Sequence, residues 1–140
     1  MILACPQCHG LNRVPDDRLS DAPSCGRCKS PLFVGKPLEL TAANFDAHAV
    51  KSEIPLVVDF WAAWCGPCQS FAPVFAQTAA EFEPRFRFGK LDTESQQALA
   101  AKFGIRSIPT VMVIQGGKVL AQQAGALPKQ AFTQWLKQFA

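Results

Sequence analysis

Six cysteines stand in three pairs, Cys5 and Cys8, Cys25 and Cys28, and Cys65 and Cys68, each pair separated by two residues. Close pairs of this kind bind metal or exchange electrons, whereas small exported scaffolds space their cysteines irregularly to staple distant loops. The first two pairs lie 16 residues apart, within the range that reads as a four-thiolate zinc site. Zn2+ would hold the four sulfurs tetrahedrally and supply folding energy. Two structural or regulatory disulfides, or a second redox pair, are the alternative readings of these four residues. Four thiolates on one Zn2+ carry two negative charges, which would take the formal net charge from +3 to about +1.

The third pair has a different setting. The segment Trp64-Cys65-Gly66-Pro67-Cys68 follows Leu56-Val57-Val58-Asp59-Phe60-Trp61, a short β-branched and aromatic run that reads as a buried central strand. A helix is predicted from about Gly66 to Phe82, with Phe71, Val74, Phe75 and Thr78 on one face and a kink at Pro73. The free N–H groups at its start favour a thiolate on Cys65. Cys68, three residues on, lies over the same turn and can close a disulfide. Pro67 suits a first helical turn. Cys65 is therefore the expected nucleophile and Cys68 the resolving thiol. With no second ligand pair nearby, they are not read as metal ligands.

These groups need elements to position them. Residues 1–36 are rich in Cys, Pro, Asp and Arg and poor in large apolar side chains, so they cannot fold on a hydrophobic core alone. The composition changes after Pro31 to Pro37, which places a metal-binding domain at 1–36 and a second domain at 37–140. There the pattern predicts a short helix over 42–51 with Thr41 as a possible N-cap, then the central strand and the long helix. A strand over 86–92 sets Phe86, Phe88 and Lys90 on one face, and a helix over 94–103 stops at Gly104. Thr110 to Gln115 and Lys118 to Ala124, joined by Gly116-Gly117, read as a hairpin. A final helix runs from Pro128 at its first position to Phe139, with Phe132, Trp135, Leu136 and Phe139 on one stripe. This order implies an α/β fold, a mixed sheet covered by helices on both faces. His9 is not needed as a ligand beside four cysteines, and His48 on the first helix is expected to be solvated or to pack.

The chain resembles the thioredoxin family, and specifically its two-domain thioredoxin 2 type with a zinc-binding N-terminal extension. The resemblance rests on Asp59-Phe60-Trp61-Ala62 before Trp64-Cys65-Gly66-Pro67-Cys68, on Lys90, on Ile105-Arg106-Ser107-Ile108-Pro109-Thr110, and on Gly116-Gly117 and Gly125. It implies a thioredoxin fold with a small zinc-ribbon-like domain in front. It also implies that Asp59 is buried behind the disulfide and exchanges a proton, through water, with the resolving thiol. Val57, Asp59 and Trp61 share a strand face within an apolar run, so desolvation should raise the Asp59 pKa and a nearby Lys90 should partly offset it. Pro109 would be cis. Trp64, Ile108 and Gly125, with Gly66, Pro67 and Pro109, would form the substrate-docking surface, with Trp61 packing beneath. Gly66-Pro67 matches the reducing members, and Gln69 departs from the basic residue many members carry after the second cysteine.

The activity implied is reduction of protein disulfides, with the oxidised dithiol recycled by an NADPH-dependent thioredoxin reductase. Zn2+ is the implied structural cofactor, with no bound organic cofactor. A rival of another class is a zinc-dependent redox-sensing or holdase-like binding module on a thioredoxin scaffold. The slight, unclustered charge disfavours nucleic acid. The longest apolar stretch, Pro55 to Cys65, is interrupted by Asp59 and too short to span a membrane. Met1 to Ala4 run into Cys5 with no positively charged segment and no long apolar stretch, so no secretory signal is expected. A cytoplasmic monomer is expected.

Overall fold

The computed structural model describes residues 1–140, the whole sequence. Strand β4 (Leu56–Trp61) is the centre of a five-stranded mixed sheet. On one side it pairs in parallel with β5 (Arg87–Asp92), which pairs in parallel with β3 (Leu38–Glu39). On the other side it pairs antiparallel with β6 (Thr110–Gln115), which turns through Gly116-Gly117 into β7 (Lys118–Ala124). The order is β3-β5-β4-β6-β7. The hairpin is as the sequence predicts because both glycines adopt positive φ, 58° and 80°, as a tight hairpin turn requires.

A strand with neighbours on both sides and helices on both faces must be apolar in both directions. Accordingly Val57 packs with Phe88, Val111 and Val113 beneath helices α1 (Gly66–Phe82) and α3 (Lys129–Lys137). Leu56, Val58 and Phe60 pack on the opposite face with Phe45, Ala49, Leu91 and Met112, covered by the segment around Ala47–Lys51 and by α2 (Gln97–Lys102). α1 buries Phe71, Phe75, Ala79 and Phe82. Each fully buried Phe side chain stabilises by about 1.5–3 kcal/mol relative to exposure, so this face holds the helix, and with it Cys65, to the sheet. The helix continues through Pro73 without a break.

The helix predicted over 42–51 is shorter at its start: residues 42–44 form a turn, Phe45 and Asp46 are α-helical, and Ala47–Lys51 continues as a wide π-helical turn. Asn44 explains the turn, because its side chain accepts from Thr41 N at 2.8 Å and donates to Glu39 O at 2.9 Å. The last helix starts at Lys129, with Pro128 as its N-cap rather than its first residue. α2 is shorter than predicted, stopping before Gly104 at φ 63°.

The N-terminal segment contains two strands the pattern did not reveal, β1 (Ile2–Ala4) and β2 (Leu11–Arg13), which pair antiparallel. Its small core of Leu3, Cys5, Val14, Cys25 and Leu32 is completed by Ile54. β1 is also bound to the segment before β4: Glu53 N donates to Ile2 O at 2.7 Å, and Ala4 N donates to Ser52 Oγ at 2.9 Å. The segment thus makes up its sparse core by borrowing from the sheet domain. No helix is long and apolar enough to cross a membrane.

Candidate functional site

β4 ends at Trp61, and the chain turns through Ala62–Trp64 into α1, so the helix begins at the edge of the sheet. Cys65 is the N-cap: its Sγ accepts from Cys68 N at 3.1 Å. The two cysteines are joined in a disulfide, with Cα atoms 5.2 Å apart. Both are nearly buried. Gly66 and Pro67 are exposed, and nothing lies within 4 Å of where a Cβ on Gly66 would stand. The approach to the disulfide on that side is therefore open.

Asp59 lies two residues after Val57, on the sheet face that α1 covers. It is fully buried, and neither carboxylate oxygen has a hydrogen-bond partner in the protein. Burial pushes its pKa up to about 7, and the Lys90 charge partly opposes the shift. Lys90 Nζ stands 4.5 Å from the centre of the Trp61 ring, a cation–π contact.

The loop before β6 brings Ile108 and Pro109 to the disulfide. Cys65 Sγ is 3.8 Å from the Ile108 carbonyl oxygen. The Ile108–Pro109 peptide is cis. Gly125, at φ 98°, donates its N–H to Pro109 O at 2.8 Å, tying the end of β7 to the same loop. Trp64 is 70% exposed. Its indole N–H donates to Glu94 Oε1 at 2.6 Å, so this exposed ring is held in place. Trp64, Ile105, Arg106 and Ile108 line a cleft of about 190 Å3 beside the disulfide. Glu94 escaped sequence reasoning because it is 30 residues from Trp64 and carries no motif of its own.

The four remaining cysteines meet within the N-terminal segment. Their sulfurs all lie within 4.8 Å of one another, with Cys5 to Cys28 at 3.7 Å and Cys8 to Cys25 at 3.6 Å. Tetrahedral Zn–S bonds of about 2.3 Å place sulfurs about 3.8 Å apart, so the cluster fits zinc. Each pair makes the same turn: His9 N donates to Cys5 O at 2.9 Å and Lys29 N to Cys25 O at 3.0 Å, with φ of 64° and 68° at His9 and Lys29. Peptide N–H groups point at the sulfurs, from Gln7 to Cys5 at 3.3 Å and from Arg27 to Cys25 at 3.4 Å. The four thiols differ: the backbone of Cys28, then the Asn12 side chain, pull Cys25 down to about 5, whereas Cys8, despite the lowering pull of the Gly10 backbone, is pushed up to about 11 by burial and the neighbouring sulfurs. Asn12 bridges both turns, donating to Gly10 O at 3.2 Å and accepting from Gly26 N at 2.9 Å; no sequence signal marked it.

His9 hydrogen-bonds His48, with Nδ1 3.0 Å from Nε2. His48 is buried rather than solvated, and desolvation lowers its pKa to about 3. The apolar helix face that takes it inward also carries Ala49.

A disulfide at the N-terminus of the helix that follows the central strand of this sheet defines a thiol–disulfide oxidoreductase of the thioredoxin fold. Comparison with known proteins agrees, and the chain belongs to the thioredoxin family. The family model described as Thioredoxin matches residues 36–138, and that described as Thioredoxin 2, N-terminal, a zinc ribbon, matches residues 4–30. Thioredoxin C-3 of Corynebacterium nephridii is 41% identical over 138 residues, covering 99% of this chain and 94% of that protein. Thioredoxin 2 of Chlorobaculum tepidum is 46% identical over 95 residues, covering 68% of this chain and 87% of that protein.

Proposed function

We propose that this protein is a reductase of protein disulfides whose reaction centre is Cys65 and Cys68. A Cys65 thiolate attacks one sulfur of a substrate disulfide, forming a mixed disulfide and releasing the other substrate sulfur as a thiolate. Cys68 then gives up its proton, attacks Cys65 Sγ and expels the second substrate thiolate, leaving the Cys65–Cys68 disulfide. The substrate gains two electrons and the enzyme loses them. The observation that carries this reading is the N-cap geometry, in which the Cys68 N–H points at Cys65 Sγ at 3.1 Å, because the same donor stabilises a Cys65 thiolate.

Asp59 is assigned the proton of Cys68, since a carboxyl held at about 7 exchanges protons near neutrality. Lys90 tunes that carboxyl. Trp64, Gly66, Pro67, Ile108, Pro109 and Gly125 are assigned to docking of the extended substrate chain, whose backbone would pair along the Pro109 loop. Recycling is assigned to an NADPH-dependent thioredoxin reductase, with no organic cofactor bound to this chain. Residues 1–36 are assigned as the zinc domain and 37–140 as the redox domain. Cys5, Cys8, Cys25 and Cys28 would hold Zn2+, which supplies a structural cross-link. Close cysteine pairs suit a reducing compartment, and a cytoplasmic monomer is the assignment made.

The test is insulin reduction coupled to NADPH and thioredoxin reductase. The wild-type protein should precipitate insulin chains and Cys65→Ser should be inactive; equal rates for the two would remove the proposal. Cys68→Ser should accumulate a mixed disulfide with substrate, seen by mass spectrometry.

A further inference from the structure

We infer that Arg87 is a positioning residue for the four-cysteine centre, reaching from the redox sheet to fix the backbone that carries Cys5. The inference rests on the zinc reading of that centre given above. Arg87 is the one buried Lys or Arg in the chain, and nothing in the redox site uses it. Its Nη2 donates to Ala4 O at 3.0 Å, the carbonyl immediately before Cys5. Its guanidinium lies 4.6 Å from the centre of the Phe33 ring. Its Nη1 is 3.4 Å from Glu83 Oε2, and Glu83 Oε1 in turn accepts from Gly35 N at 2.7 Å.

The Arg87–Glu83 pair therefore grips the chain at residue 4 and again at residues 33 and 35, on both sides of all four sulfurs. A buried cation is costly unless it is paired and hydrogen-bonded. The Glu83 contact is longer than a good charge-assisted bond, so the carboxylate alone does not account for an arginine here. The hydrogen bond to Ala4 O instead directs the guanidinium to the peptide that leads into Cys5. A zinc tetrathiolate carries two negative charges, and the fully buried Cys5 is one of the two ligands least able to share them with water. Arg87 thus orients a ligand and lies near the charge that the ligand set creates. Its planar fork does this in a way a lysine cannot fully copy.

Outer partners of metal ligands typically change metal affinity by about tenfold to a hundredfold. The test measures the zinc content of the purified full-length protein, then the rate of zinc transfer to a chromogenic chelator for wild type, Arg87→Met and Arg87→Lys. Arg87→Met should lose zinc about tenfold faster, with Arg87→Lys intermediate. In Co2+-substituted protein the ligand-field bands should change in Arg87→Met and return toward wild type in Arg87→Lys. Insulin reduction should stay within about twofold in both. Wild-type protein with one zinc, and variants that are folded by circular dichroism yet release it at the wild-type rate, would overturn the inference alone. Wild-type protein without zinc would overturn the zinc reading and this inference together. If Arg87→Met does not fold, Arg87→Lys decides: zinc release at the wild-type rate overturns the inference.

Discussion

Asp59 and Lys90 are register partners across the parallel pair of β4 and β5, yet the lysine ammonium rests on the Trp61 ring, 4.5 Å from its centre, and the carboxylate is left without a protein hydrogen bond. Burial therefore dominates the Asp59 carboxyl and lifts it to about 7 despite the adjacent cation. Lys90→Met removes the opposing charge and keeps an apolar stem against Trp61. The Asp59 titration, followed by carboxyl 13C chemical shift in the oxidised protein, should move to higher pH. An unmoved midpoint would show that Lys90 does not act on Asp59.

Much of this site was legible because its signals are local. The Cys65 and Cys68 spacing, the Pro67 helix start and the alternating hairpin from Thr110 to Ala124 each lie within one or two elements. What was not legible depends on contacts between distant residues. β3 has two residues and exists because Leu38 and Glu39 pair with Gly89 and Lys90. The strands Ile2–Ala4 and Leu11–Arg13 are three residues each, below the length at which alternation has meaning. The sequence leaves His48 either solvated or packed, and what it packs against, His9, lies 39 positions away. Arg87 sits in a strand whose neighbours Phe86 and Phe88 face the core, so alternation alone gave no reason to find it buried.

The hydrogen bond from Trp64 to Glu94 fixes an exposed ring at the rim of the cleft beside the disulfide. Fixing a docking side chain before substrate arrives reduces the ordering cost of binding. Glu94→Ala should raise KM for insulin a few-fold and leave kcat within about twofold, as expected for loss of uniform binding. A change in kcat with KM constant would place Glu94 in the chemistry instead.

Gly89 lies between β3 and β4, and a Cβ there would stand 2.6 Å from Leu40 Cδ1 and 2.7 Å from Leu40 Cγ. Leu40 is fully buried, so it cannot swing into solvent. Gly89→Ala should destabilise by about 1–3 kcal/mol through overpacking, measured by urea unfolding. In a Leu40→Ala background the added methyl enters vacated space, and its penalty should shrink or reverse. Simple additivity of the two changes would contradict the proposed clash.

Asp59 and His48 should impose opposite pH dependences on stability. The Asp59 carboxyl titrates at about 7 when folded and at 3.8 when unexceptional, so between these values the folded chain holds a proton that the unfolded chain has lost. Stability from this group is greatest at low pH and falls by about 1.4 kcal/mol per pH unit as pH rises to about 7. His48 titrates at about 3 when folded and at 6.5 ordinarily, so between these values the unfolded chain holds the extra proton. Its contribution is present above 6.5 and falls by a similar amount per unit as pH is lowered. In the overlap, from 3.8 to 6.5, the two slopes nearly cancel in the wild type. Asp59→Asn should therefore gain stability relative to wild type as pH rises from 5 to about 7, by about 2–3 kcal/mol. His48→Gln should gain relative to wild type as pH falls from about 6.5 to 5, by about 2 kcal/mol, on top of a constant loss of its bond to His9. Urea unfolding of oxidised, zinc-loaded proteins at several pH values gives both slopes. If the two single variants changed in the same direction with pH, one of the two buried groups would not hold the protonation state its surroundings dictate.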